Sequence, residues 1–294
     1  MCNKLLKTTK KIIPISLQTE LKALQQPLAP SKNFLLIILP YFVGKTDALG
    51  AKTRSFLSFP YGPLTISSYV NKKSFNGSKV KILDLNLSEA YGAEELLEII
   101  KSELNREVID VLGFSFMFDT SFPYLISLSK DIKNLFPKTP IIVGGAAATT
   151  GYKEILELVD PVDAVCYSEG EQAMLNLLDY SKTIEFDSPP WVTRKNLNLK
   201  PETRYVESLD DVVELDYSLI DISKYSMKES FSPFAAYRYH NKEFNQFFLV
   251  TSRGCPFKCT FCAEPALHGA NMRFASVEKI ISHIADLKDK YNIN

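Results

Sequence analysis

The chain has 294 residues, 46% of them apolar, and its 34 basic side chains balance 34 acidic ones for a formal net charge of zero. Without a dense basic patch, nucleic acid is not an expected partner, and no apolar run approaches the roughly 20 residues of a membrane span. Five cysteines, three of them within one eight-residue stretch, argue against a disulfide scaffold and for a reducing cytoplasm.

Residues 1–30 read as an N-terminal extension: lysines stand at 4, 7, 10 and 11, and no apolar run is long enough for a secretory leader. Residues 34–39 are a continuous apolar run ended by Pro40, the pattern of a strand covered on both faces. A long loop rich in Gly, Pro, Ser and aromatics follows over 40–62, and loops of that length in compact domains usually carry function. Pro63 suits a helix start, with Leu64, Ile66, Tyr69 and Val70 as the apolar face. The alternation then repeats. Strands are expected at 79–85, 108–116, 140–143 and 163–167, each followed by a helix, the last three at 122–136, 153–159 and 172–180; Leu96, Leu97, Ile100 and Leu104 mark the one after 79–85. Five strands alternating with helices imply an α/β, doubly wound, Rossmann-like (flavodoxin-like) parallel five-stranded sheet spanning 31–183. Such sheets bind ligands at the C-terminal ends of their strands. The candidate site therefore falls on the loops after residues 39, 85, 116, 143 and 167.

Residues 184–240 are more polar, with a turn at Pro189-Pro190-Trp191, and read as an interdomain linker. Tyr237-Arg238-Tyr239 is a candidate hairpin partner for an apolar strand over 247–250. Segment 241–294 holds Cys255, Cys259 and Cys262, spaced C-x3-C-x2-C, and a final helix whose stripe is Ile280, Ile281, Ile284 and Leu287. Three thiolates on one loop can meet at one centre, and soft sulfur ligands select iron–sulfur clusters, zinc or Cu(I). A fully protein-ligated [4Fe-4S] cluster takes four cysteines, so three would leave one iron open to a non-protein ligand. A zinc knot needs a fourth ligand, for which His268 is the nearer choice and Cys2 the remote one.

C-x3-C-x-aromatic-C, with Phe261 as the aromatic, resembles the cluster loop of the radical S-adenosylmethionine (SAM) enzymes. The stretches Thr251-Ser252-Arg253-Gly254-Cys255-Pro256 and Arg273-Phe274-Ala275-Ser276-Val277-Glu278 resemble flanks in members that carry an N-terminal cobalamin-binding domain. The resemblance implies that Cys255, Cys259 and Cys262 hold a [4Fe-4S] cluster and that Phe261 helps to position SAM. It also implies that an electron cleaves SAM to a 5'-deoxyadenosyl radical, with flavodoxin or ferredoxin as a donor. Pro60-Tyr61-Gly62-Pro63-Leu64, Asp84-Leu85-Asn86, Gly113-Phe114-Ser115-Phe116-Met117, Gly144-Gly145 and Ser168-Glu169-Gly170-Glu171 are similar in order and spacing to the cobalamin-binding domains of that family. The implied cofactor contacts are Ser115, Gly144 and Gly145 around the corrinoid's nucleotide tail, together with Asn86, Glu169 and Gly170. One position departs from the methyltransferase-type pattern Asp-x-His-x-x-Gly, because Asn86 stands where the cobalt-ligating histidine would be and Glu89 replaces the glycine. Cobalamin is therefore expected without a histidine lower ligand from this loop.

The same residues have plainer readings. Ser115 could cap a helix, Glu169 and Glu171 could be first-turn acids at a helix N-terminus, Cys166 could be a small buried hydrophobe, and His283 could serve packing. A complete (β/α)8 barrel takes roughly 250 residues, so the segment after the cysteine loop is expected to be the first β/α unit of an incomplete barrel and the chain the front of a longer enzyme. The expected activity is radical methylation or rearrangement of a small molecule the sequence does not name. The alternative is a cobalamin-binding or regulatory module with a non-catalytic cysteine segment.

Overall fold

The computed structural model describes residues 29–41, 45–46, 52–53, 58–88, 90, 92–180, 182–225 and 249–291. Most of the N-terminal extension, most of the 40–62 loop, Glu89, His240, the expected Tyr237–Tyr239 hairpin, and Phe247 and Phe248 lie outside these residues.

Strand β1 (Asn33–Ile38) is an interior strand, and all but one of its residues are buried. Helix α1 (Tyr61–Lys73) follows, two residues earlier than Pro63 alone suggests, and leads to β2 (Lys79–Asp84), then α2 (Ala93–Leu104) and β3 (Val111–Ser115). Next come α3 (Phe122–Leu135) and β4 (Ile141–Gly144), then two short helices, α4 (Ala146–Thr150) and α5 (Tyr152–Leu158). Strand β5 (Ala164–Cys166) and α6 (Glu171–Asp179) complete the alternation. The parallel strands lie in the order β2-β1-β3-β4-β5. The chain changes direction between β1 and β3, the topological switch point of a flavodoxin-like sheet.

The five-stranded expectation falls one strand short. Trp191–Val192 (β6) adds at the edge, antiparallel to β5, with Val165 opposite Val192. Two residues carry no periodicity, so only the turn before them was visible in sequence. The first of the two helices after β4, the Ala-Ala-Ala-Thr-Thr turn of α4, was also missed, having almost no apolar face of its own.

Alternate residues of each buried strand feed two cores. Leu35, Ile37, Leu112, Phe114, Ile141, Val143 and Val165 pack beneath α2, α3 and α5. Phe34, Leu36, Val111, Ile142, Ala164 and Cys166 face α1 and α6. Truncation in the first core removes buried methyl groups and leaves a cavity. Ile37→Ala is thus expected to cost about 2–5 kcal/mol, read as a lowered urea midpoint at unchanged m-value.

The segment after α6 is packed rather than free. Val206, Leu209 and the α7 residues (Asp210–Val213) Val212 and Val213 are buried in the second core, and Tyr217 in a third beside Phe59, Leu64 and Leu287. A short ribbon follows, β7 (Ser252–Arg253) antiparallel to β8 (Arg273–Phe274), with α8 (Glu264–His268) between them and α9 (Val277–Tyr291) after. Of the expected α9 stripe, Leu287 is buried and Ile280 partly so, while Ile281 and Ile284 face solvent. His283 is buried instead, its Nε2 2.9 Å from the Tyr217 hydroxyl and its ring stacked on the tyrosine. Burial lowers its pKa, and its role is packing.

Candidate functional site

A cavity of about 230 Å³ lies at the C-terminal ends of the parallel strands, on the α1/α6 face of the sheet. Its floor is Phe34, Gly113, Ser115, Ile142, Gly144 and Cys166. Gly113 is paired to Leu36 and Ile142, and Ser115 to Ile38 and Gly144, across β1, β3 and β4. The floor is made mostly of backbone and small groups. A Cβ on Gly113 would lie 2.4 Å from Cζ of Phe34, so glycine leaves that ring its place against β3. Gly145 opens α4 at φ +113°, ψ −179°, a region essentially closed to other residues, and a Cβ there would meet the Phe116 carbonyl oxygen at 2.6 Å. The side walls are Gly62, Pro63 and Ile66 of α1 and Glu171 and Met174 of α6. Gly170 precedes α6 where a Cβ would press on Ile66 at 2.7 Å. The Cys166 thiol lies among these groups with its pKa pushed up to about 12, by burial first and by Glu171 second, so it is an inert small hydrophobe.

Ser168, at φ +75°, turns the chain out of β5, and its hydroxyl donates to the Leu267 carbonyl. Leu267 and His268, from the short helix just after the cysteines, border the cavity opposite its floor. Beside them is a buried ionic cluster. Glu169, 4% exposed, receives Arg273 on both carboxylate oxygens at 2.5 and 3.0 Å, His268 Nδ1 at 2.8 Å and the Val206 amide at 3.1 Å. Arg253, 7% exposed, donates to Glu171 at 2.7 Å and stands 3.4 Å from Glu169. Burial alone would raise the Glu169 pKa, but His268, Arg273 and Arg253 overcome it and hold the carboxyl at about 2. The paired acids were visible in sequence, but their cationic partners lie 82 to 104 positions away, beyond the reach of any local pattern.

Asn86 is not among the residues lining the cavity. Its side chain bridges two strand ends: Oδ1 accepts the Tyr41 amide at 3.0 Å, and Nδ2 donates to the Leu39 carbonyl at 3.1 Å and to Asp84 at 2.8 Å. The other Asp84 oxygen accepts the Tyr225 hydroxyl at 2.7 Å. The three cysteines share one loop between β7 and α8. Cys255 is half-buried with its amide bonded to the Gly269 carbonyl at 3.0 Å, while Cys259, Cys262 and Phe261 are exposed. Among the described residues, no three Cys, His, Asp or Glu side chains lie close enough to hold one metal ion. The expected convergence of the thiols is therefore not seen. Drawing thiols together gains free energy only through metal–sulfur bonds, and the loop's own contacts, all backbone or to Glu264, do not require it. The donor set still suits a soft metal centre, being three unpaired cysteines on one loop. His268, the nearer fourth zinc ligand, turns Nδ1 to Glu169.

Residues 51–178, which supply most of the cavity's walls, match the B12 binding domain family. The chain carries a B12-binding domain. Its glycine-floored, largely apolar cavity fits a flat heteroaromatic group, as backbone without side chains allows close approach. Curated relatives extend the likeness beyond this domain. The chain is 26% identical over 264 residues to an uncharacterized methyltransferase of Pyrococcus horikoshii, an alignment covering 88% of this chain and 51% of that protein. It is 25% identical to the cytidylyl-2-hydroxyethylphosphonate methyltransferase of Streptomyces wedmorensis, over 81% of this chain and 50% of the relative. It is also 25% identical to the hopanoid C-3 methylase of Methylococcus capsulatus, over 72% and 38%. The chain spans about half the length of the first two relatives and less of the third. Among the described residues no helix is long and apolar enough to cross a membrane.

Proposed function

We propose that the chain is the cobalamin- and cluster-carrying part of a radical SAM methyltransferase acting on a small molecule. The observation that carries this reading is the cavity at the strand ends, floored by Gly113, Ser115 and Gly144 and edged by Gly145, inside a B12-binding domain whose relatives are named methyltransferases. Ser115, Gly144 and Gly145 would receive the nucleotide tail of cobalamin, with Ile66 and Met174 closing over its faces. Asn86, committed to Tyr41, Leu39 and Asp84, leaves the corrin without a histidine from this loop. Cys255, Cys259 and Cys262 would hold a [4Fe-4S] cluster beside the domain, and Phe261 would face SAM. When bound, cobalamin supplies a transferable methyl group and the cluster an electron for SAM cleavage.

The test is anaerobic reconstitution with iron and sulfide in the presence of hydroxocobalamin. Expected are a brown protein with about four irons and one corrinoid per chain, and loss of most of the iron in Cys255→Ala with the corrinoid retained. Stoichiometric zinc in place of iron would reject the cluster. Corrinoid uptake without any SAM cleavage would instead assign the chain the role of a corrinoid-binding module.

A further inference from the structure

The cavity and the cysteine loop meet at one short segment. Segment 168–171 leaves β5 as one rim of the cavity. It is also where the loop's anchors end: the Ser168 hydroxyl donates to the Leu267 carbonyl, Glu169 accepts from Arg273 and pairs with His268, and Glu171 accepts from Arg253. Those anchors bracket the cysteines closely. Arg253 is two positions before Cys255, and α8 begins two positions after Cys262. Within the loop, the Gly254 amide reaches Glu264 at 3.3 Å, and Arg273 donates to the His268 carbonyl at 3.2 Å, closing the ring. Leu267 and His268 in turn border the cavity directly. A group seated on Gly144 and Ser115 therefore shares its space with Leu267 and His268, the last residues of the helix that follows Cys262. Ser168, held at φ +75°, keeps this junction in a conformation that a non-glycine residue adopts only under restraint.

We infer that occupancy of the cavity and placement of the cysteine loop are thermodynamically coupled through Glu169 and α8, with Glu169 and His268 as positioning residues. The inference rests on the reading that the cavity takes cobalamin's nucleotide tail. Coupling is reciprocal: whatever fixes the loop must tighten the cavity's ligand by the same factor.

The experiment uses the full chain without iron and reads the alkylation rates of Cys255, Cys259 and Cys262 by mass spectrometry, with cysteine-free peptides of the same digest as internal reference. Hydroxocobalamin at saturation, verified by its absorbance, is expected to slow alkylation of the three at least fivefold. Cobinamide, which lacks the nucleotide tail, is expected to leave the rates unchanged. In His268→Ala and Glu169→Gln, each compared at its own saturating hydroxocobalamin concentration because both side chains border the cavity, protection should fall below twofold; either variant suffices should the other fail to fold. Cobalamin bound with rates unaltered would overturn the coupling while leaving the assignment of the cavity standing. Equal protection by cobinamide would overturn the route through the tail cavity. Failure of cobalamin to bind at all would remove both readings.

Discussion

Glu169→Ala is expected to lower the unfolding free energy by about 3–5 kcal/mol, the cost of breaking a buried ion pair from one side. The carboxylate is 4% exposed and meets Arg273, His268 and Arg253, while Glu171 alone remains to pair with the buried Arg253 after truncation. Glu169→Gln preserves shape and keeps acceptors for Val206 and one arginine, so its loss should be smaller. The pH dependence identifies the group. Its folded pKa, about 2, lies below the usual 4.5: burial acts against the charge, and His268, Arg273 and Arg253 outweigh it. A depressed folded pKa means that the unfolded chain binds the proton first. Its contribution is therefore complete above about pH 4.5 and is lost as pH falls toward 2, in total about 3 kcal/mol. Urea unfolding at pH 6, 4 and 3 measures this. The native chain should lose stability more steeply across that window than Glu169→Gln, whose amide does not titrate. Parallel curves would mean that the carboxylate is not held by these cations.

The sheet was legible because its information is local. Five runs of apolar residues, each with its turn signal, give five parallel strands and the end of the sheet where ligands bind, and the runs at 34–39 and 141–143 mark buried strands by the absence of alternation. What was illegible depends on partners far apart in sequence. Trp191–Val192 becomes a strand only because β5 offers an unpaired edge. Glu169 could be read as a first-turn acid because nothing nearby hints at Arg273, 104 positions on. The Gly144-Gly145 doublet looked like one signal, whereas the two glycines have different reasons to be glycine. The α9 stripe was read correctly as amphipathic, yet its buried side centres on His283 and Leu287, because Tyr217 supplies an aromatic face and a hydroxyl there.

The difference between the two glycines yields the second large effect. Gly144 has ordinary strand geometry, and a Cβ there would meet only Cys166 Cβ at 3.6 Å, normal van der Waals contact. Gly144→Val therefore asks nothing of the backbone, gains the strand preference of a β-branched residue, and sends two methyl groups into the 230 Å³ space. Stability should stay within about 1 kcal/mol of the native chain, while hydroxocobalamin binding weakens at least tenfold, about 1.4 kcal/mol. Gly145→Ala should behave in the opposite way. Its backbone conformation admits essentially only glycine, and the obstructing atom is the Phe116 carbonyl oxygen, which bonds the Ala148 amide and cannot swing aside as a side chain can. The expected cost is about 3 kcal/mol or more in unfolding free energy, with any loss of corrinoid secondary to it. Spectrophotometric cobalamin titration and urea unfolding on both variants separate the effects. Undiminished cobalamin affinity in Gly144→Val would place the nucleotide tail away from β4, because a ligand lying on that strand has no room for the valine.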